Sequence, residues 1–415
     1  MGKDTKVKIL FFAAEDFAAD SAQVVRIVNE IELVLKSKGK CGLLILESIH
    51  VFLRNTILGR RSLIRFKDKN LQIIVLPCLL RRFTSVNKRL LRLSLRILLK
   101  KWSDSKIYLH CHRHYPAYLG ILSKKKDRII NSRVKIIFDF HGVDPEEYLV
   151  LGGGRANIKV YQQRKSRERE LVTNADKIIC VSNRFKEYVV SEYSTDSGKI
   201  AVLPCCVDKS KFYYDRQIRR EMRVKLGVEN KVVIVYSGSM STWQMPETMI
   251  KLFKAINSFY KNAYFLVLSP DIVKAKSLLE KHEVPREMYS LMHVPHDQVS
   301  RYLMAADIAL LIRKRMLVNK IASPTKFAEY LRCGLAVLCT PDIGDFSDIV
   351  SSDPRIGMVI DIDSNNEEII AKFSTLLSAG LNEAMRAYRS KLAGELLSWE
   401  NYSNCLLEVY EGENV

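Results

Sequence analysis

Short apolar runs rich in β-branched residues recur along the whole chain, and helical patterns separate one run from the next. Strands that are hydrophobic on both faces and alternate with helices form parallel sheets covered on both sides. The chain is therefore predicted to be α/β, with doubly wound, Rossmann-like sheets. The runs are VKILFF (7–12), GLLILE (42–47), LQIIVLP (71–77), KIYLHCH (106–112), VKIIFDF (134–140), KIICVS (177–182), IAVLP (200–204), KVVIVYSGS (231–239), YFLVLS (264–269), DIALLI (307–312), LAVLCT (335–340) and IGMVID (356–361).

Length and local composition divide the chain. Its 415 residues exceed the size at which one hydrophobic core keeps growing, so two domains are expected. A polar passage after Pro204 suits a linker. We predict a first domain over 1–205, a second over 206–385 and a helical segment over 386–415 that packs back toward the first domain. Two such domains that face each other would place the carboxyl ends of both sheets on one cleft, where open α/β sheets bind ligands. The expected packing residues of the last segment are Leu392, Leu396, Trp399, Leu406 and Tyr410.

Positive charge is concentrated in one part of the first domain. The whole chain has a net charge of +20, and residues 51–135, with 22 basic and 3 acidic residues, contribute +19. A local field of this size indicates an anionic partner: lipid headgroups, nucleic acid or a phosphorylated substrate. Nine cysteines without a CxxC pair indicate a reduced, cytosolic protein.

The segment VNKRLLRLSLRILLKKW (86–102) is a basic amphipathic helix at 100° per residue. Its basic residues fall within about a third of the helical wheel, and Leu90, Leu91, Ile97, Leu98 and Trp102 lie mostly opposite. An anionic membrane leaflet suits the basic face, whereas a domain helix with its apolar face in the core is the alternative, and both can hold together. Any membrane contact is expected to be peripheral, because no run of 18 apolar residues exists. The basic residues are Lys88, Arg89, Arg92, Arg96 and Lys100.

The stretch SPTKFAEYLRCGLAV, 323–337, predicts a helix over 324–332 that is capped by Ser323, with Pro324 at its first position and Gly334 just beyond its end. Lys326 and Glu329 then share one face. A helix N-terminus that follows a basic strand end, at Arg313, forms a diphosphate site, and a carboxylate one turn further can accept hydrogen bonds from ribose hydroxyls. An exposed ion pair on an ordinary helix start is the alternative.

Histidines follow the fourth and fifth predicted strands. His110, His112 and His114 alternate, so a metal site is one interpretation and substrate-contacting or structural histidines are the other, which we favour. His141, followed by Gly142, is a second candidate for a ligand cleft, with a structural role as its alternative.

Motifs in both halves resemble those of GT-B-type glycosyltransferases, most closely family 4 and its bacterial enzymes of surface-polysaccharide assembly. In the second half they are YSGS (236–239), MHVPHDQVSRYLMAADIALLIR (292–313), SPTKFAEYLRCGLAVLCT (323–340) and SWENYSNCLLEVY (398–410). In the first half they are LHCHRHYPA (109–117), FDFHGVDPEEY (138–148) and NADKIICVSNRFKEYV (174–189). The resemblance implies an acceptor-side first domain, a second domain that binds the nucleotide sugar, and retention of anomeric configuration.

The resemblance also implies roles for individual residues. Glu329 would bind the donor ribose, and the loop through Ser323, Pro324 and Thr325 would hold the diphosphate with backbone N–H groups. His112 would lie beside the donor sugar, and the backbone around Val294 would meet the base. The turn at Ser237, Gly238 and Ser239 would face the phosphates.

Departures from the family pattern accompany these matches. A second glutamate common in family 4 would fall on Ile321, and Ser239 stands where a cation is usual. Phosphate charge is then expected to be met by Arg313, Lys326 or both. Fixed N–H groups and cations stabilise a leaving diphosphate, so we expect catalysis without a metal ion or other cofactor, by Lys326 and the helix dipole together with His112 and His141.

The favoured prediction is thus a cytoplasmic glycosyltransferase that is peripheral on the inner face of the cell membrane and moves a sugar to a glycan or lipid-linked acceptor. Two alternatives stay open. One is a nucleic-acid-binding protein that uses residues 51–135, which sparse aromatic residues and the lack of an RNA-binding motif make less favoured. The other is a catalytically silent subunit that binds a sugar nucleotide.

Overall fold

A computed structural model describes residues 6–17, 21–57, 68–78, 83–102, 105–378 and 380–411. The chain forms two compact units. Unit 1 comprises Met1–Pro204 and Tyr402–Val415, and unit 2 comprises Cys205–Asn401. The helical segment predicted over 386–415 is thus divided between the units, and the linker region after Pro204 begins unit 2.

Unit 1 contains a seven-stranded sheet in the order β3-β2-β1-β4-β5-β6-β7. Every neighbouring pair in it is parallel, with the register fixed by pairs such as Leu10 with Leu109 and Leu109 with Ile136. The strands are β1 (Lys6–Ala13), β2 (Cys41–Ser48), β3 (Leu71–Cys78), β4 (Ser105–His112), β5 (Val134–Phe140), β6 (Lys177–Cys180) and β7 (Ile200–Val202). The helices are α1 (Ala22–Lys38), α2 (Ile49–Ile57), α3 (Thr84–Lys101), α4 (His114–Lys125), α5 (Arg128–Arg133), α6 (Asp144–Gly152), α7 (Ile158–Asn174) and α8 (Asn183–Tyr193).

Unit 2 contains a six-stranded parallel sheet in the order β10-β9-β8-β11-β12-β13. Its strands are β8 (Val232–Ser237), β9 (Ala263–Leu268), β10 (Tyr289–Met292), β11 (Ile308–Leu311), β12 (Ala336–Cys339) and β13 (Gly357–Val359). The helices are α9 (Arg216–Leu226), α10 (Pro246–Phe259), α11 (Ile272–Lys281), α12 (His296–Ala305), α13 (Leu317–Lys320), α14 (Thr325–Arg332), α15 (Phe346–Ser352), α16 (Asn366–Ser378) and α17 (Glu383–Leu396). The predicted α/β class with two Rossmann-like domains is confirmed.

The core of unit 2 occupies both faces of its sheet. Side chains that alternate along a strand point to opposite faces. Val233 and Val235 of β8 therefore pack in one apolar cluster, and Ile234 and Tyr236 pack in the other. This two-sided burial explains why the strands of the unit read as continuous apolar runs in the sequence.

A helix from the end of the chain, α18 (Ser403–Glu411), completes unit 1. Tyr410 is buried, and its hydroxyl lies 2.6 Å from Nδ1 of His110 on β4. Trp399 and Leu406 are buried as expected, whereas the expectation for Leu396 is wrong, because this side chain is 45% exposed at the end of α17. Leu396 lies one position from the buried Leu397, on the solvent side of the same helix end.

Candidate functional site

The loop after β8 approaches α14 very closely. Gly238 has φ +142°, and a Cβ atom placed on it would lie 2.5 Å from Nζ of Lys326. The backbone N–H of Ser237 donates to the hydroxyl of Tyr330, at 2.9 Å. Ser239 joins Ser241 through their hydroxyls, at 2.7 Å. A glycine is therefore required where the strand end passes the lysine.

Lys326 lies on the first turn of α14, and its direct contacts are with neutral groups. Its Nζ is 3.4 Å from Oε1 of Gln244 and 4.6 Å from the centre of the Tyr236 ring. Burial, and then the charge of Arg313, lower the pKa of Lys326 to about 7, against a smaller opposing effect of Glu329. No ion pair forms between Lys326 and any carboxylate in the part of the chain that the structure describes. The exposed ion pair with Glu329, which was the alternative from sequence, is therefore not formed.

Arg313 follows β11, the neighbour of β8 in the sheet. Its backbone N–H donates to Oγ1 of Thr340 at 2.9 Å, and its Nη1 donates to Oδ1 of Asn319 at 3.1 Å. Its Nε is buried without a hydrogen-bond partner, and burial lowers the pKa of the guanidinium to about 10. Within the described ranges, Arg313 has no carboxylate partner. Arg313 and Lys326 thus form a pair of cations at the carboxyl edge of the sheet that the unit itself leaves without a counter-ion.

Glu329 lies one turn further along α14, and its side chain is 16% exposed. Its Oε1 is 3.7 Å from Nε2 of His296, at the start of α12. Val294, which the resemblance implies near the base, is half-buried in the loop between β10 and α12. The structure therefore brings Lys326, Glu329 and Arg313 into one region of unit 2. Ile321, where the family often has a second glutamate, is buried.

The start of α14 differs from the prediction. Pro324, and not Ser323, is its N-cap residue, and Thr325 is its first residue. The Ser323 hydroxyl instead accepts a hydrogen bond from the backbone N–H of Cys205, at 2.9 Å. The Ser323 hydroxyl therefore bonds to a residue that is distant in the chain, and not to an N–H group in the first turn of α14. The predicted end of the helix is confirmed, since Gly334 follows the C-cap with φ +82°.

The predicted histidines of unit 1 belong to a buried network. The Nδ1 of His112 lies 3.0 Å from Oδ2 of Asp139, and Nε2 of His141 lies 2.9 Å from the same oxygen. Burial and the charge of His110 lower the pKa of His112 to about 3. The side chain of His112 exposes no surface, whereas that of His141 is 12% exposed. His141 is therefore the member of the pair that reaches solvent.

Two carboxylates and one arginine hold this network together. Arg26 pairs with Glu30 at 2.9 Å and with Asp139 at 3.2 Å. Burial favours protonation of Asp139, but Arg26 and the surrounding imidazoles hold the pKa of this carboxyl well below its usual range. Burial and the nearby Asp139 raise the pKa of Glu30 well above its usual range. One ionised carboxylate thus balances one guanidinium, and the histidines stay neutral.

Glu30, His110, His112 and Asp139 could each offer one ligand atom to a metal ion, and these atoms lie within 4.8 Å of one another. Two features oppose that use. The rings of His110 and His112 are stacked 4.6 Å apart at an angle of 12°, and a metal ion cannot lie in the planes of two stacked, nearly parallel imidazoles at once. Arg26 already occupies both carboxylates. His114 lies apart, with Nε2 2.7 Å from Oε2 of Glu168. The prediction that no metal is needed remains a prediction.

The predicted basic helix is α3, and its buried stripe consists of Asn87, Leu91, Leu95, Leu98 and Leu99. Arg89, Arg96 and Lys100 are exposed, and Lys88 and Arg92 are half-buried. Arg96 pairs with Asp127 at 2.5 Å. The expectation that Ile97 lies on the buried side is wrong, because Ile97 is 60% exposed and Leu93 is 59% exposed. The outer face of α3 therefore combines cations with apolar side chains.

Sequence reasoning missed the partners of these residues. Gln244 and Asn319 contact the two cations of unit 2, and Arg26 and Glu30 complete the histidine network of unit 1. A signal for the network was available at Asp139, a charge inside the apolar run VKIIFDF. A carboxylate buried in such a strand is costly unless it is paired, so its presence indicates a partner.

Two protein-family models match the chain. One is described as Glycosyltransferase Family 4 and matches residues 53–211, and the other is described as Glycosyl transferases group 1 and matches residues 218–392. A curated relative is the phosphatidylinositol N-acetylglucosaminyltransferase GPI3 subunit of Saccharomyces cerevisiae (strain YJM789). It is 22% identical over 256 residues, which cover 58% of this chain and 51% of the relative. The chain thus spans about half the length of the curated relatives that it matches.

Three solved structures with a similar fold are the following. Anabaena Alr3699/HepE in complex with UDP has a TM-score of 0.70 at 11% identity and covers 98% of this chain and 100% of its own. A glycosyltransferase from Rickettsia africae ESF-5 has a TM-score of 0.66 at 16% identity, with coverage of 99% and 98%. WaaG, a glycosyltransferase involved in lipopolysaccharide biosynthesis, has a TM-score of 0.63 at 15% identity, with coverage of 97% of both chains. These similarities extend over both units.

Proposed function

Because the chain belongs to the family 4-like glycosyltransferases of the GT-B fold, we propose that unit 2 binds a nucleotide sugar through Arg313, Lys326 and Glu329 and that the sugar passes to a glycan or lipid-linked acceptor. The observation that carries the proposal is the pair of cations without a counter-ion, Lys326 and Arg313, next to Gly238. A diphosphate supplies the missing negative charge.

The proposed chemistry uses these groups to stabilise the leaving diphosphate. Cleavage of the bond between the anomeric carbon and the diphosphate places negative charge on the phosphate oxygens. Preorganised cations and N–H groups in a site that excludes water stabilise such charge more than water does. Lys326, Arg313 and the first turn of α14 would supply this field, so the proposed transfer needs no metal ion. Glu329 would accept hydrogen bonds from the ribose hydroxyls. Retention of anomeric configuration is proposed from the family.

The proposed acceptor is lipid-linked or part of a growing surface glycan at the inner face of the cell membrane. Two similar proteins support this class, since the name of GPI3 includes phosphatidylinositol and WaaG takes part in lipopolysaccharide biosynthesis. In the described part of the chain, no helix is both long enough and apolar enough to cross a bilayer. The exposed Leu93 and Ile97, flanked by Arg89 and Lys100, give α3 a surface suited to an anionic leaflet.

Titration calorimetry with UDP, GDP, CDP and TDP tests the donor site, and UDP is the first choice because Anabaena HepE binds UDP and UDP-glucose. We expect one nucleotide to bind selectively, and Glu329→Ala to raise its dissociation constant roughly 10- to 100-fold, since hydrogen bonds to charged groups contribute about 1.5–3 kcal/mol. Glu395→Ala, on the exposed face of α17, is the matched control. An unchanged dissociation constant in Glu329→Ala would reject the ribose assignment.

Release of the nucleotide from its sugar conjugate tests the reaction itself. We expect release that depends on Lys326 and persists in excess EDTA. Release that stops in EDTA and returns with Mg²⁺ would reject the metal-independent mechanism. Selective nucleotide binding without release or transfer would identify a silent sugar-nucleotide-binding subunit. Binding of RNA without any nucleotide affinity would support the remaining alternative.

A further inference from the structure

A separate cavity of about 470 Å³ lies within unit 1. It forms where residues that follow β1 and β4 meet α6, α7 and the start of α3. The strands β1 and β4 are neighbours in the centre of the sheet, and their carboxyl ends meet where open α/β sheets bind ligands. The volume is in the range of small-molecule sites. All the described residues that line this cavity belong to unit 1.

The backbone at Arg113 is strained. This residue joins β4 to α4 with φ 68° and ψ 179°, a conformation that essentially only glycine adopts without cost. The N–H of Arg113 donates to the carbonyl of Asp139 at 3.0 Å, which holds the strained backbone in place. The guanidinium lines the cavity, and its contact with Oε1 of Glu15, at 3.4 Å, is long. Strained backbone of this kind clusters at functional sites.

Two further arginines enter the cavity from α7. Arg164 and Arg167 are three residues apart and so share one face of the helix. Arg164 donates to Oδ1 of Asp144 at 2.8 Å, and its guanidinium lies 4.5 Å from the Tyr148 ring. The guanidinium of Arg167 lies 4.6 Å from the Tyr118 ring, and no ion pair to it is seen among the described residues.

The remaining polar lining fits a hydroxylated ligand. His114 is fixed by Glu168, which is fully buried and also accepts a hydrogen bond from Tyr193. Because Glu168 holds Nε2 of His114, the other ring nitrogen, Nδ1, is the one left to meet a ligand. Gln163 and Tyr115 add further polar groups to the wall. Among the described lining residues, three arginines face two carboxylates, Glu15 and Asp144, so this part of the wall carries an excess of positive charge.

We propose that this cavity binds the acceptor through a phosphate group, either a phosphomonoester or a diphosphate. The inference rests on the proposed function of the chain as a glycosyltransferase. Guanidinium groups bind phosphate oxygens in bidentate pairs. The three guanidiniums come from two different elements, and a tetrahedral phosphate offers oxygens in several directions, whereas a planar carboxylate offers two oxygens to one side. A bound phosphate would give Arg113 a stronger contact than its long one with Glu15. It would also give Arg167 a counter-ion.

The proposal is tested by titration calorimetry of the full chain with glucose 1-phosphate and with geranyl diphosphate, in saturating UDP so that the donor site of unit 2 is filled. Methyl glucoside is the neutral probe and glucuronate is the carboxylate probe. We expect both phosphorylated probes to bind at least tenfold more tightly than methyl glucoside and glucuronate. Arg164→Gln/Arg167→Gln should weaken the phosphorylated probes at least tenfold and change UDP affinity less than twofold.

Controls separate charge, folding and donor binding. Lys159→Gln/Arg169→Gln removes the same charge from α7 outside the cavity and should leave probe binding unchanged. Arg167→Gln alone breaks no ion pair among the described residues, so a loss of probe affinity at an unchanged unfolding midpoint reflects the missing guanidinium and not failed folding. Preference for glucose 1-phosphate over geranyl diphosphate would indicate a free sugar phosphate, and the reverse would indicate a lipid-linked one.

Equal affinity for methyl glucoside and glucose 1-phosphate, or no effect of the double variant, would overturn the proposal. Tighter binding of glucuronate than of the phosphorylated probes would also overturn it. The UDP titration in the same series reports on the donor site by itself. Arginine-dependent phosphate binding without UDP affinity would reject the donor site and retain the cavity.

Discussion

The Nζ atom of Lys326 lies 4.6 Å from the centre of the Tyr236 ring, and the pKa of this lysine is lowered to about 7. The cationic form binds phosphate, and this form is lost as the pH rises through the pKa. We therefore predict that UDP-glucose affinity falls between pH 6.5 and 8.5, approaching tenfold per pH unit above the pKa of the free protein. The bound diphosphate raises the pKa of Lys326, so binding takes up a proton in this range.

Calorimetry in buffers of different ionisation enthalpy measures both the affinity and the proton uptake. Lys326→Met should bind UDP-glucose more weakly, and its affinity should be nearly independent of pH. A wild-type affinity that stays constant over this range would show that Lys326 is charged throughout or does not contact the diphosphate.

Gly238→Ala, just after the end of β8, should weaken donor binding. The new Cβ would lie 2.5 Å from Nζ of Lys326, and the backbone at φ +142° strains any residue other than glycine. We predict a loss of about 1–3 kcal/mol in unfolding free energy and a clearly weaker UDP-glucose complex. Urea unfolding and calorimetry measure the two effects. Gly154→Ala is the control, since no atom lies within 4 Å of its new Cβ. Normal donor affinity in Gly238→Ala would show that the position of Lys326 is not critical.

Asp307 should dominate the stability of unit 2. It is buried and pairs with Arg219 at 2.6 Å, with Arg223 at 3.1 Å and with Arg386. Removal of one partner from a buried ion network leaves uncompensated charge, so Asp307→Asn should lower the unfolding free energy by about 3–5 kcal/mol at pH 7. Asp363→Asn, on the surface of the same unit, should change it little.

The same carboxylate makes stability depend on pH. Burial alone would raise the pKa of Asp307, but the three arginines hold it below its ordinary value of 3.8. The stabilisation is therefore fully present above that value and is lost as the pH falls through the lower folded-state pKa. The difference between wild type and Asp307→Asn in urea unfolding should shrink at the acid end. A constant difference down to the acid limit would contradict the assignment.

Membrane attachment through α3 is tested with vesicles of phosphatidylcholine and phosphatidylglycerol. Each basic residue near an anionic surface contributes about 1 kcal/mol. Arg89→Glu/Lys100→Glu should weaken binding to vesicles that contain phosphatidylglycerol at least tenfold. Leu93→Ser/Ile97→Ser should weaken binding to vesicles with and without phosphatidylglycerol. Arg96 is left intact, because it pairs with Asp127. Lys159→Glu/Lys177→Glu serves as the charge-matched control. If both α3 variants sediment with the vesicles as the wild type does, α3 is not the membrane-binding element.

The architecture could be predicted from the sequence, because strands that are buried on both faces of a parallel sheet appear as continuous apolar runs. The strand that escaped prediction, β10, has four residues at the sheet edge, of which Ser290, Leu291 and Met292 are only partly buried. The cap at Ser323 was predicted wrongly because a distant backbone N–H, that of Cys205, competes for its hydroxyl. Local chemistry cannot reveal such a partner.

In the candidate sites, too, features with a local sequence pattern could be predicted, and features that depend on distant residues could not. That Lys326, Glu329 and Arg313 lie in one region could be predicted, because a helix start after a strand is a local pattern, and their role in donor binding stays a prediction. The cavity of unit 1 could not, since Arg113, Arg164 and Arg167 are separated in the chain and only the fold brings them together. The helical wheel likewise placed Ile97 on the wrong side, because periodicity cannot tell which of two apolar edges a neighbouring element covers.

The contact between Tyr410 and His110 spans 300 positions of the chain, and all of unit 2 lies between them. During synthesis, the seven-stranded sheet leaves the ribosome long before α18 is made. The part of unit 1 that α18 covers, including Nδ1 of His110 on the central strand β4, stays uncovered until the second unit has been translated. Unit 1 therefore completes its packing last although its strands are made first, and a chaperone would meet it in that unfinished state.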